Sequence, residues 1–153
     1  MYKLKIYNKL KEVVALSLVD KSIFNKFNKM KLWLDNKGYV IGFYNGKHIK
    51  FHQIVIGKKL GFEIDHINRN KLDNRKINLR HTTHSKNIRN AKIQSNNISG
   101  LVGIHWGKHI NKWIAEITLN RKIIYLGSFL NKDEATTARK LGEIKYFGCI
   151  RRP

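Results

Sequence analysis

The chain of 153 residues carries 31 Lys+Arg against 10 Asp+Glu, a formal net charge of +21, far beyond what solubility requires, so the favoured partner is a polyanion, nucleic acid first. No stretch approaches the ~20 apolar residues of a spanning helix, no basic amphipathic helix stands out, and the opening Met1 to Asn8 lacks the apolar core and cleavage site of a secretion signal. The single cysteine, Cys149, excludes an intrachain disulfide and a cysteine-built zinc site, so the expected setting is reducing: the cytoplasm or nucleoid of a host cell, with no secretion and no membrane partner.

Charge is uneven. Residues 1–99 hold 21 basic and 6 acidic side chains, residues 100–153 only 10 and 4, which makes the first part the more polyanion-seeking. In chain order, Val13 to Val19 has strand composition, and Asp20 or Ser22 is placed to cap a short helix through Phe24 and Phe27. Tyr39 to Tyr44 and Lys47 to Phe51 are joined by Asn45-Gly46, the strongest short-range hairpin signal. A brief apolar segment, Phe51 to Ile56, leads through Gly57 and Gly61 into Glu63-Ile64-Asp65-His66.

That tetrad reads as a short strand. Ile67 to Asn78 is too polar and turn-rich for regular structure and predicts a compact loop; Leu79 to Thr82 is a returning strand, and Thr83 caps a helix from His84 to about Ala91. A hairpin laid against a helix can converge Asp65, His66 and Asn87 on one point. Asp65 and Asn87 would offer the hard oxygen ligands that Mg²⁺ prefers.

The run Ile64 to Arg75, then Asn78-Leu79-Arg80, then Thr83 to Asn90 resembles the HNH homing endonucleases of the ββα-metal fold. The resemblance implies that His66 is the general base, Asp65 a metal ligand, Asn87 the second ligand, and Asn78 the residue that holds the histidine and loop in place. It implies a divalent cation, Mg²⁺ or Mn²⁺.

The chemistry agrees. Phosphodiester hydrolysis needs an activated water in line with the leaving 3′ oxygen and a cation on the charge developing there. A histidine of pKa ~6.5 is substantially neutral near pH 7 and can take the water's proton. Its other ring nitrogen needs an oxygen partner to fix the tautomer, either the amide oxygen of Asn78 or a backbone carbonyl. An isolated Asp-His pair is more often a surface turn than a catalytic centre; the extended motif reverses that balance. Asp73-Asn74 reads as a loop-stabilising turn, Glu63 as an exposed strand residue or a peripheral ligand, and His52 as packing or loop support. Arg75, Arg80, Lys86 and Arg89 cluster around the site and are candidate phosphate contacts.

Lys92 to Gly100 lacks hydrophobic periodicity and reads as a linker. Beyond it, Gly103 to Trp106, Lys112 to Leu119 and Lys122 to Phe129 alternate as an antiparallel meander with a tight turn at Asn120-Arg121. Asn131 and Glu134 resemble a capping arrangement opening a helix to about Phe147, with Ala135, Ala138, Leu141 and Gly142 at helical spacing. If Ala115 and Ile117 face that helix, Glu116 and Thr118 face away, with Ile123 and Tyr125 beside them. Ser99 to Gly148 resembles the AP2/ERF DNA-binding domain through Ser99-Gly100, Gly103-Ile104, Trp113 to Ile117, Leu126 to Phe129, Glu134-Ala135, Ala138 and Phe147-Gly148. The resemblance implies that the exposed sheet face enters the major groove, giving Trp106, Lys108, Glu116, Thr118, Arg121 and Tyr125 as the candidate contact face. Val102, His105, Thr118 and Ile123 stand where that family often has arginines. Trp113 and Phe129 read as core.

The expected architecture is α+β: an HNH endonuclease region over residues 1–95 with its ββα-metal core at 61–91, then an AP2-like three-stranded antiparallel sheet on one helix over 99–150. The expected activity is metal-dependent nicking of double-stranded DNA by a monomer encoded by a phage or mobile element. The alternatives are a non-catalytic AP2-type DNA-binding regulator and a ribonuclease or RNA binder.

Overall fold

The computed structural model describes residues 2–91, 93 and 97–150; Lys92, Gln94, Ser95 and Asn96 of the expected linker lie outside them. The chain is mixed α and β and divides into two compact units, residues 1–91 and 92–153. No helix among the described residues is long and apolar enough to cross a membrane.

In the first unit, β1 (Tyr2–Tyr7) and β2 (Val13–Val19) form an antiparallel pair. Alternation on β1 turns Leu4 and Ile6 inward and Lys3 and Lys5 outward, as a pleated strand requires. Helix α1 (Lys21–Phe27) follows, with Asp20 at its N-cap. The Asp20 carboxylate does not cap α1 as its sequence position predicts: Oδ2 accepts instead from the backbone N–H of Lys76, 2.8 Å away. It thereby satisfies an amide at the start of the 3₁₀ turn Lys76–Asn78, where such groups have no local acceptor.

Strands β3 (Leu32–Leu34), β4 (Val40–Tyr44) and β5 (Lys47–Lys50) build a three-stranded antiparallel sheet. Asn45 and Gly46 take φ of 48° and 78°, the left-handed pair that a two-residue hairpin needs. The apolar run after it is a six-residue helix, α2 (Phe51–Ile56), ended by Gly57 at φ 73°. Leu4, Ile6, Val19, Leu32, Val40 and Phe51 are among the residues that close one core.

The 63–90 segment folds as β6 (Glu63–His66) paired antiparallel with β7 (Leu79–Thr82), followed by α3 (His84–Asn90). Thr83 caps α3 through its side chain, which accepts from Lys86 N. One long-range feature fixes the intervening loop: Leu18 N–H donates to Leu72 O at 2.8 Å and Asn74 N–H donates to Leu18 O at 2.9 Å. Strand β2 thus pairs with residues 72–74, a contact that local sequence gives no means to foresee.

In the second unit, β8 (Ile104–Gly107), β9 (Lys112–Leu119) and β10 (Lys122–Phe129) form an antiparallel sheet in the order β10-β9-β8, packed on α4 (Lys132–Phe147). Asn120 and Arg121 both have positive φ in the β9–β10 turn. Asn131 accepts from Asp133 N, and Gly148 ends α4 in the left-handed region. Helix and sheet approach closely at Gly142, where a Cβ would lie 2.7 Å from Leu126 Cδ1 and 2.9 Å from Ile117 Cδ1. A larger residue there would push the layers apart.

Candidate active site

Asp65 and His66 are both buried at the end of β6, exposed by only 7% and 4%. Adjacent strand residues point to opposite faces, and their contacts follow that rule. Asp65 Oδ2 accepts from Arg80 Nε at 2.9 Å and Nη2 at 2.7 Å; Arg80 is its direct cross-strand partner. Asn90 Nδ2, on α3, donates to both Asp65 oxygens at 2.9 and 3.0 Å and to the His66 carbonyl at 3.1 Å. One amide therefore ties helix to strand. Asn87, one turn earlier on α3, donates instead to Glu63 Oε2 at 2.5 Å, while His84 Nδ1 meets Glu63 Oε1 at 2.7 Å. Those contacts hold Glu63 below its ordinary value, the Asn87 bond contributing most.

Sequence reading expects Asp65, His66 and Asn87 to converge on one point; here two rungs join β6 to α3, Glu63 with Asn87 and Asp65 with Asn90, and His66 turns to the other face of the strand. Residues 63 and 65 share a strand face and 87 and 90 a helix face, so both rungs open on one side. The donors there are oxygens of Glu63, Asp65 and Asn87, the hard ligands that suit Mg²⁺ or Mn²⁺. No group of three or more His, Cys, Asp or Glu side chains suited to an ion occurs among the described residues.

His66 lies against His52 and Tyr39, with ring centroids 5.1 and 6.0 Å away. Its Nε2 is 3.3 Å from Asn74 Oδ1. Asn74 Nδ2 donates to Ser17 Oγ at 2.9 Å and to Lys71 O at 3.3 Å, and Ser17 Oγ–H donates to Leu72 O at 3.0 Å. Because Lys71 O can only accept, the amide orientation of Asn74 is fixed, its Oδ1 faces the imidazole, and Nε2 carries the proton. Nδ1 keeps its lone pair. Burial pushes His66 below the ordinary histidine value, offset in part by the Asn74 bond and by the charges of Asp65 and Asp73. His52 is pushed down to about 3, by burial first and then by the imidazole of His66 and the ammonium of Lys50.

Asn78 has a different task from the tautomer partner that sequence left open. Its Oδ1 accepts from Asn68 N at 2.9 Å, its Nδ2 donates to Asp73 O at 2.8 Å, and its carbonyl accepts from Ile67 N at 2.8 Å. It clamps both ends of the loop. Asp73 and Asn74, read from sequence as a loop-stabilising turn, are each only 1% exposed, and Asn74 rather than Asn78 addresses the histidine. The one sequence cue was a pair of short polar residues in a loop that must close on itself. Asn90 offered a clearer cue, standing three residues after Asn87 on the same helix face.

Of the expected phosphate contacts, Arg75 chelates Asp73 at 2.7 and 2.6 Å and Arg80 holds Asp65, while Lys86 is exposed in the first turn of α3 and Arg89 is half-buried in the last. In the second unit, register pairs Glu116 with Tyr125 and Thr118 with Ile123, on the face opposite the fully buried Ala115 and Ile117. Ile123 and Tyr125 are 67% and 61% exposed. Trp106 departs from this face: it pairs with Trp113, ring centroids 5.4 Å apart, on the side of Ile104 and Ala115. Lys108 and Arg121 lie in the exposed turns that flank β9.

No family model matches the chain, and no solved structure does. Among curated proteins, Protein 3.8 of Escherichia phage T7 is 37% identical over 77 residues, covering 50% of this chain and 64% of the phage protein. The aligned segment thus falls short of two-thirds of that relative's length.

Proposed function

We propose that this chain is a metal-dependent DNA endonuclease of the HNH homing type, with a ββα-metal core at 61–91 and an AP2/ERF-like DNA-binding unit at 99–150. The observation that carries the proposal is the buried Asp65-His66 pair, with Nε2–H of His66 directed to Asn74 and Nδ1 left to accept a proton. In this reading Nδ1 removes the proton from the attacking water. Asp65 and Asn87, with Glu63 beside them, would hold Mg²⁺ or Mn²⁺, and when bound the cation would offset charge developing on the leaving 3′ oxygen. Asn78 and Asn74 position the loop and imidazole. Arg80 already neutralises part of the Asp65 charge, so cation affinity without DNA would be low, and phosphate and water would have to supply the remaining oxygen ligands.

Lys86, exposed in the first turn of α3, is the leading phosphate contact of the core, with Arg75, Arg80 and Arg89 as further candidates, and Glu116, Thr118, Arg121 and Tyr125 with Lys108 form the duplex face of the second unit. One site per chain cuts one strand, so the product is a nick made by a monomer. The similarity to a phage protein fits a phage or mobile-element source and a cytoplasmic or nucleoid setting. A second reading, a non-catalytic AP2-type regulator, draws on the engagement of Asp65 by Arg80 and of Asn87 by Glu63. Supercoiled plasmid incubated with the protein in Mg²⁺ or EDTA separates them: open circles formed only with Mg²⁺ support the nuclease, and duplex binding without conversion supports the regulator.

A further inference from the structure

A groove of about 1130 Å³ lies in the first unit between β1, the β1–β2 turn and residues 28–34. None of the catalytic candidates lines it. Its rim carries Lys3, Lys5, Lys9, Lys11, Lys29 and Lys31, and no acidic residue is among its lining side chains. The six lysines are all exposed. Apolar side chains make the bed: Tyr7, Val14, Phe24, Met30, Trp33 and Leu34, of which Val14 and Leu34 are 53% and 38% exposed.

Trp33 continues the apolar surface onto the β3-β4-β5 sheet. It lies edge-on to His48 at 5.3 Å, and His48 in turn is 5.3 Å from Phe43. Phe43 and His48 are cross-strand partners, and Phe43 is 57% exposed. A row of rings therefore leaves the lysine-rimmed groove and crosses open sheet.

We infer that this surface binds an unpaired DNA strand. Charge complementarity selects a polyanion, because six ammonium groups, against the one carboxylate of Glu12 in the β1–β2 turn, would repel a basic partner and gain little from a neutral one. The rings select the unpaired form: a duplex keeps its base faces stacked inside, whereas a single strand can lay bases on Trp33, His48 and Phe43 while the lysines follow its phosphates. The surface stands without the nuclease reading; the choice of DNA over RNA rests on the proposed function.

The test uses the full chain in EDTA, so that cleavage plays no part, and measures fluorescence anisotropy of an oligothymidylate of about 12 nucleotides, inside the roughly 4–16 that one such groove occupies, against a duplex of equal length. Phe43→Ala, at an exposed position, is expected to weaken oligothymidylate binding on the order of tenfold and to leave duplex affinity within about twofold. Lys3→Glu with Lys5→Glu is expected to flatten the salt dependence for the single strand by about 0.7 in log–log slope per lost phosphate contact. Unchanged binding by Phe43→Ala, an equal loss on duplex, or an unchanged slope for the lysine pair would each overturn the inference. So would a parent protein that binds anionic phosphatidylglycerol vesicles and not oligothymidylate.

Discussion

Nε2–H of His66 donates to Oδ1 of Asn74 across 3.3 Å, and the orientation of that amide is set by the Lys71 carbonyl and by β2, where Ser17 Oγ accepts from Asn74 Nδ2 and itself donates to Leu72 O. The N-terminal hairpin is therefore part of the site. In the proposed nuclease this contact holds one imidazole tautomer and leaves Nδ1 to act as the base.

Asn74→Ala removes the acceptor and leaves both tautomers accessible. The nicking rate is expected to fall by at least about tenfold, within the roughly 10²–10⁴ that general-base catalysis contributes, with little change in duplex affinity. Ser17→Ala keeps Asn74 and loosens only its orientation, so its loss is smaller. Single-turnover nicking of both variants ranks them.

Burial depresses His66, so the base form is complete at a lower pH than for a free imidazole. The sign follows: rate rises with pH through a midpoint below about 6.5 and is flat above it. A profile of nicking between pH 5 and 8 checks this, and a midpoint above 7 would contradict it.

The same physics governs stability. His52 titrates at about 3 in the fold against ~6.5 unfolded, so between those values the unfolded chain binds the extra proton and stability falls as pH falls, by up to about 1.4 kcal/mol per pH unit. Asp73, depressed chiefly by its bonds from Arg75, contributes stability above its unfolded value that is lost as pH falls through its folded one. Melting temperatures between pH 7.5 and 4 should decline, and His52→Gln should flatten the part of the decline between pH 6.5 and 4.

On the second unit, the two sheet faces separate binding from folding. Ile123→Glu places a carboxylate on the open face beside Thr118, and duplex affinity should fall while stability changes by no more than about 0.5 kcal/mol. Ala115→Leu, at a fully buried position, should overpack the helix interface and cost about 1–3 kcal/mol. Urea melts and duplex titrations of both variants provide the comparison.

Local chemistry made much of this legible. Asn45-Gly46 marked its hairpin, Thr83 and Asn131 marked their helices, and alternation along Lys112–Leu119 put Ala115 and Ile117 inside. What escaped the sequence was long-range or short. Strand β1 alternates lysine with apolar residues over only six positions, β3 has three residues, and α2 has six, too few for a helical period to emerge. Asn74 meets Ser17 across 57 positions, a pairing that only the β2 contact with residues 72–74 creates. Trp106 changed face because the Gly107–Asn111 connection sets the register of β8, and a shift of one residue there inverts every side chain.

The most direct test is conversion of supercoiled plasmid to open circles in Mg²⁺ by the parent, by His66→Ala and by Asp65→Asn, each checked for folding by circular dichroism. The expected result is Mg²⁺-dependent nicking by the parent and a loss on the order of 10²–10⁴ in the His66 variant, with Asp65→Asn also severely impaired. Nicking by both folded variants at the parent's rate would contradict the assignment.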